Sequence, residues 1–304
     1  MLQLSPRSLL SLIAPADSPS ERFISDAKTV ITIRDLAVGT NLAEDLSALR
    51  DRSVMIATER QLPTALALVA LDGIARRILL CTPDLAAAHI WSLMRDAQID
   101  AVVSDGTGPI RDGAHDVRTV ECSDRIGVCE NLVDRTIETE WVLLSSGTTG
   151  RPKLVQHTLA SLIGPLGDGP TAANAPIWST FYDIRRYGGL QILLRSFVGN
   201  GSMVLSQAGE PVGEFLMRVR AGMVTHISGT PSHWRRALMS ASAKSIAPSY
   251  VRLSGEVCDQ AILDNLRETY PRATIAHAFA STEAGLAFDV RDGRAGFPAA
   301  LIGN

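Results

Sequence analysis

Trp141-Val142-Leu143-Leu144-Ser145-Ser146-Gly147-Thr148-Thr149-Gly150-Arg151-Pro152-Lys153 decides how this chain is read. An apolar segment runs straight into four hydroxyl side chains, two glycines and a lysine. That order predicts a buried strand opening into a loop that holds a polyphosphate. Glycine lets the backbone approach an anion closely, and successive N–H groups can form an anion-binding nest. Ser145, Ser146, Thr148 and Thr149 can each donate an O–H, and Lys153 adds a point charge. The chain holds 29 Lys and Arg residues, yet only Lys28, Lys153 and Lys244 are lysine. Arg serves wherever a generic cation suffices, so a lysine inside this loop reads as a specific requirement. The alternative is a plain Ser/Thr/Gly surface turn.

The spacing excludes a Walker A loop, because Gly147 to Gly150 is too short a gap and Arg-Pro separates Gly150 from Lys153. It resembles instead the phosphate loop of the adenylate-forming superfamily: acyl-CoA synthetases, adenylation domains of peptide synthetases, and luciferases. Ser145 through Lys153 matches every fixed position of [ST]-S-G-[ST]-[ST]-G-x-P-K-G, and Leu154 replaces the final glycine. Two further segments follow in family order. Ala278-Phe279-Ala280-Ser281-Thr282-Glu283 contains a match to Y-G-x-T-E. The resemblance implies that Phe279 stacks on adenine, Thr282 contacts the α-phosphate and Glu283 binds Mg²⁺. An aromatic ring gives a purine a flat face, a hydroxyl can donate to phosphate, and Mg²⁺ takes one or two carboxylates plus phosphates. Phe279 keeps the stacking and loses a hydroxyl, and Ala280 adds a methyl where the family has glycine. A helix start at Ser281 or Thr282 is the alternative. Ser254-Gly255-Glu256 resembles the G-G-E segment whose backbone packs on the other face of adenine, and it also reads as an ordinary strand-to-helix turn.

Outward from these motifs, strands are expected at 53–57, 78–81 and 101–103, with helices at 61–75 and 84–97 between them. This alternation implies parallel pairing in an α/β layer. Residues 106–116 read as an exposed loop, and the Pro/Gly-rich 164–176 as a connection. Beyond it, helices are expected at 188–197, 212–221, 231–239 and 259–270, the last N-capped by Asp259. Strands are expected at 202–205, 224–227, 250–253 and 273–279. The expected fold is therefore α/β: two stacked α/β subdomains with mostly parallel sheets. Residues 1–168 would form the first, ending with the phosphate loop, and residues 169–304 the second, with the adenine and acid segments.

The acid pocket is less sharply marked. By resemblance it lies around Tyr187, Gly188 and Gly189 and around His226, Gly229 and Thr230. Arg185 or Arg186 could grip a substrate carboxylate, but a solvated pair or a salt bridge to Asp183 is the favoured reading. His226 reads equally as a core histidine, and His157 matches no family role.

Residues after Gly285 match neither the family's ribose-binding Asp, nor its hinge, nor its lysine-bearing C-terminal domain, so that domain is expected to be absent here. The function implied is ATP-dependent activation of a small carboxylic acid as an acyl-adenylate. The acyl group then passes to coenzyme A or to the phosphopantetheine thiol of a carrier protein. The alternative is a truncated or degenerate nucleotide-binding domain without catalysis. Net charge is −3, which gives no electrostatic case for nucleic acid or an anionic membrane. No apolar run is long enough to span a bilayer. Cys81, Cys122, Cys129 and Cys258 have no C-x-x-C spacing, so free thiols in a reducing cytoplasm are expected.

Overall fold

The computed structural model describes residues 8–14, 21–106, 117–129, 133–145, 152–166 and 175–298. They form two mixed, mostly parallel sheets separated and flanked by helices. In the first sheet the spatial order is Gly39–Leu42, Arg118–Val128, Ala101–Ser104, Ser53–Ile56, Arg77–Leu80, Glu140–Ser145, Lys153–His157. The five inner strands are parallel, and both edge strands are antiparallel. The second sheet runs Gly285–Val290, Thr274–Ser281, Tyr250–Ser254, His226–Gly229, Ile177–Thr180, Ser202–Val204, Phe23–Ser25, Val30–Thr32. Again only the two edges are antiparallel.

Strand alternation explains the layers. Val54 and Ile56 pack into a core shared with Trp178, Leu190 and Met203, so they face the second sheet. Met55, Leu79 and Val142 face the other way, onto helix Ala87–Asp96. Helix Gln61–Leu71 is buried at every position, as a helix lying between two sheets must be. Helices Val212–Ala221, Pro231–Met239 and Gln260–Thr269 cover the far face of the second sheet with Phe215, Trp234, Ile262 and Leu266. Asp259 caps the last of these by accepting from the Ile262 N–H.

Polar struts tie the layers together. Arg185 is fully buried; it pairs with Asp183 and donates to the carbonyls of Thr58 and Glu59. Gln61 accepts from the Ile184 N–H and donates to the Ser206 carbonyl. Two departures from the expected layout follow from edges. Phe23–Ser25 and Val30–Thr32 belong to the second sheet, so a boundary at 168 does not divide the chain cleanly. Lys153 opens an antiparallel edge strand rather than extending a loop. All but the first residue of the 106–116 loop and most of the 164–176 connection lie outside the described residues.

Candidate nucleotide site

Ser145 and Lys153 close one hairpin. They are direct antiparallel partners, so the loop leaves and returns at adjacent points on one sheet edge. Ser146, Gly147, Thr148, Thr149 and Gly150 lie outside the described residues. Ser145 is buried, and its hydroxyl closes no hydrogen bond of normal geometry. It nonetheless faces Glu283: the Ser145 hydroxyl, with the Lys153 ammonium assisting, holds the Glu283 carboxyl below its ordinary range. Both groups favour the charged form of the carboxylate.

Glu283 comes from a second hairpin. Strand Thr274–Ser281 pairs with Gly285–Val290, and Ser281 stands opposite Gly285. Thr282, Glu283 and Ala284 therefore form the turn, and the Ser281 hydroxyl accepts from the Ala284 N–H at 3.0 Å. The helix start considered for this segment is not formed; the second antiparallel strand follows at once. Glu283 is exposed, and an exposed carboxylate with a hydroxyl and a lysine near it suits a hard cation shared with phosphates.

Behind the turn lies a cavity of about 330 Å³, lined by Gly255, Val257, Cys258, His277, Phe279, Phe288 and Phe297. Gly255 sits at φ +84°, where the chain turns out of its strand, and a side chain there would be strained. Phe279 is 58% exposed and lies 5.7 Å from the Phe288 ring at an interplanar angle of 21°. A bulge between Phe279 and Ala280 turns the strand end at this point. A glycine main chain on one wall and an aromatic ring on another suit a flat heterocycle. Ala278 and Ala280 line the cavity as well.

Other expected residues have structural duties. Glu256 caps helix Pro231–Met239: its carboxylate accepts from the Ser232 N–H at 2.9 Å. Burial would raise the Glu256 pKa, but the Ser232 hydrogen bonds outweigh it and lower it. Thr230 and His233 cap the same helix reciprocally. Gly229 is forced by space, since a Cβ there would meet the Phe181 ring at 2.6 Å. Gly189 is forced by the Asp183 carbonyl, 2.1 Å from such a Cβ, and Gly188 faces the Tyr182 ring. Tyr187 is buried against the second hairpin, where a Cβ on Gly285 would lie 3.2 Å from its hydroxyl.

His226 is not brought to this site. It starts its strand, whereas Gly255 and Glu283 lie beyond the opposite strand ends. Three residue steps along the strand separate it from Gly229, about 10 Å. It packs between Trp178 and Tyr250, and burial pushes its pKa down to about 4. The core-histidine alternative describes its surroundings.

The sequence reading missed His157, whose ring lies 5.7 Å from Tyr187. Burial lowers its pKa, and the Thr282 carbonyl partly offsets this. It also missed Tyr182, which donates to the Ser254 carbonyl at 2.6 Å and so holds the strand end before Gly255. Cys258, His277, Phe288 and Phe297 were missed too; only Phe288, alternating along its strand, left any signal.

Two mostly parallel sheets, with helices between and outside them and an antiparallel hairpin closing one edge of each, make up the domain. The chain belongs to the AMP-binding enzyme family, which matches residues 34–300. Solved structures agree in fold. The N-terminal subdomain of Klebsiella oxytoca NpsA, in complex with 3-hydroxybenzoyl-AMSN, is 17% identical with a TM-score of 0.70, covering 94% of this chain and 75% of that one. The o-succinylbenzoate coenzyme A synthetase MenE of Bacillus subtilis, in complex with AMP, is 18% identical with a TM-score of 0.77, covering 93% and 76%. A double mutant of the same synthetase, bound with a product analogue, scores 0.74 at 18% identity, and this chain spans 61% of it. No functionally curated protein matches the sequence. Among the described residues no helix is long and apolar enough to cross a membrane, and no group of three or more His, Cys, Asp or Glu could hold a metal.

Proposed function

We propose that this chain carries the nucleotide and acid sites of an enzyme that activates a small carboxylic acid with ATP. The observation that carries this is the meeting of two hairpins. Ser145 and Lys153 from one sheet face Glu283 from the other, beside a cavity walled by Gly255 and Phe279.

The carboxylate oxygen of the acid attacks the α-phosphorus of ATP. The α–β P–O bond breaks and pyrophosphate leaves. Lys153, with the hydroxyls and backbone N–H groups of Ser145, Ser146, Gly147, Thr148, Thr149 and Gly150, neutralises charge on the departing pyrophosphate. Thr282 donates to an α-phosphate oxygen. Glu283 is the carboxylate suited to Mg²⁺, which when bound lowers the charge between phosphates. Gly255 and Phe279 hold adenine, and Ala278, Ala280, Ser281 and the Glu256 main chain frame it. Tyr187, Gly188, Gly189, Gly229 and Thr230 border the acid.

In a second step a thiol, from coenzyme A or a carrier's phosphopantetheine, attacks the acyl carbon. AMP leaves, and the thiol proton passes to solvent. The relatives in complex with AMP and with an acyl-AMSN support the nucleotide half of this reading. Acid-dependent exchange of pyrophosphate into ATP tests it. Exchange that needs acid and is lost in Glu283→Gln supports it, and nucleotide binding without exchange for any acid would leave a non-catalytic domain.

A further inference from the structure

Beyond Val290 the chain doubles back. Gly293 and Gly296, at φ +79° and +82°, make two turns in which a side chain would be strained. Between them the main chain is latched to its neighbours at three consecutive residues. Gln260, at the start of helix Gln260–Thr269, donates from Nε2 to the Gly293 carbonyl at 3.1 Å and accepts at Oε1 from the Ala295 N–H at 3.0 Å. His277 donates from Nε2 to the Arg294 carbonyl at 2.8 Å. The Gln260 amide also donates to Asp264 at 2.9 Å, which helps to fix its orientation.

The latched segment ends at an aromatic ring. Phe297 follows directly after the second turn and lies 4.5 Å from the Phe288 ring, and Phe288 in turn stacks on Phe279. All three rings line the cavity behind the Glu283 turn, and Gly296 lines it with them. Val257, Phe279 and Phe297 border that cavity, yet they are 91%, 58% and 47% exposed. Exposed apolar side chains gathered around one hollow are surface that a flat apolar ligand would cover. They come from three separate stretches of chain, so the cavity has its full wall only while residues 293–297 stay in place. Gln260 is itself exposed and lies outside the apolar core.

We propose that Phe297 is the outer wall of the base cavity, and that Gln260 is the positioning residue that keeps it there by latching residues 293–295. This rests on the adenylation reading above and adds two residues to its nucleotide site. A purine held by Gly255 and Phe279 then also covers the Phe297 ring.

The test is isothermal titration of AMP into the native protein and four variants, each with a thermal melt. Phe297→Ala should weaken AMP roughly fivefold through lost aromatic contact, and Phe297→Tyr should keep native affinity. Gln260→Met keeps the length of the side chain and removes its hydrogen bonds. It should weaken AMP about threefold, the scale of one net hydrogen bond, with a near-native melt. Because Gln260 acts through Phe297, the double variant Gln260→Met with Phe297→Ala should bind AMP within about twofold of Phe297→Ala alone. Native affinity in either Gln260→Met or Phe297→Ala, or single losses that multiply in the double variant, would overturn the latch and leave the adenylation reading standing. Failure of the native protein to bind AMP at all would overturn that reading and this inference with it.

Discussion

Hairpin 140–157 closes one edge of the first sheet, and hairpin 274–290 closes one edge of the second. Both add an antiparallel strand to a parallel sheet. Their turns are equipped oppositely. The first brings a buried hydroxyl and a lysine on two paired strand ends, and the second brings a carboxylate on a tight three-residue turn beside an aromatic ring. Separately, each is an ordinary sheet edge. Facing one another, in the reading proposed here, they would make a site with a cation for phosphate, a carboxylate for a metal and a flat wall for a base. Parallel sheets place their binding groups beyond the strand ends, and two sheets joined by a common helix layer place two such ends together.

The comparison breaks most sharply at the carboxylate. Glu283→Gln should cut adenylation by on the order of 10²–10³ fold, the scale of losing one preorganised electrostatic contact, and should raise the Mg²⁺ requirement. Wild-type exchange at limiting Mg²⁺ in this variant would reduce Glu283 to a turn residue. Next comes the strut that holds the sheets in position. Arg185→Met leaves Asp183 without its partner and frees the Thr58 and Glu59 carbonyls. Urea unfolding should show a loss of about 3 kcal/mol. A change under 1 kcal/mol would mean that the strut is dispensable.

Lys153→Ala should weaken ATP binding by roughly tenfold or more, one charge-assisted contact, with little effect on melting because Lys153 is exposed. Unchanged affinity by titration would remove the lysine from the site. Phe279→Ala should weaken AMP roughly fivefold through lost stacking, again with a near-native melt, since 58% of the ring is exposed without ligand.

The smallest effect concerns His226. Its folded pKa is about 4 against an ordinary 6.5, so between those values the unfolded chain binds the proton and the native state does not. Stability should therefore fall as pH drops from 6.5 to 4, and His226→Gln should flatten that slope. An unaltered slope in the variant would assign the acid sensitivity to other groups.

The site's chemistry was more legible than its geometry. Ser145 to Lys153 and Phe279 to Glu283 carry the resemblance to the family that the chain belongs to, because binding phosphate and purine would demand particular residue types at short spacing. The interior strands and the helices at 212–221 and 231–239 were equally clear, carrying apolar residues at regular periods. Edge strands were not. Lys153–His157 and Gly285–Val290 are half-exposed, so their alternation is weak, and the antiparallel pairing that brings Lys153 and Glu283 together is set by tertiary contacts. Arg185 shows the converse. Its pairing with Asp183 could be read from sequence, but its complete burial and its reach to Thr58 depend on a neighbouring sheet 126 residues or more away. His226 misled because a segment can match a binding motif at Gly229 and Thr230 while its first residue lies at the wrong end of the strand.

The claim that two hairpins make one site is tested most directly by a double-mutant cycle on Mg²⁺–ATP affinity. The cycle takes Lys153→Ala, Glu283→Gln and the pair, measured by isothermal titration. Groups that share one bound nucleotide and metal should be coupled, so the loss in the pair should differ from the product of the single losses by about fivefold or more. Losses that multiply to within twofold, as for distant independent positions, would contradict the account.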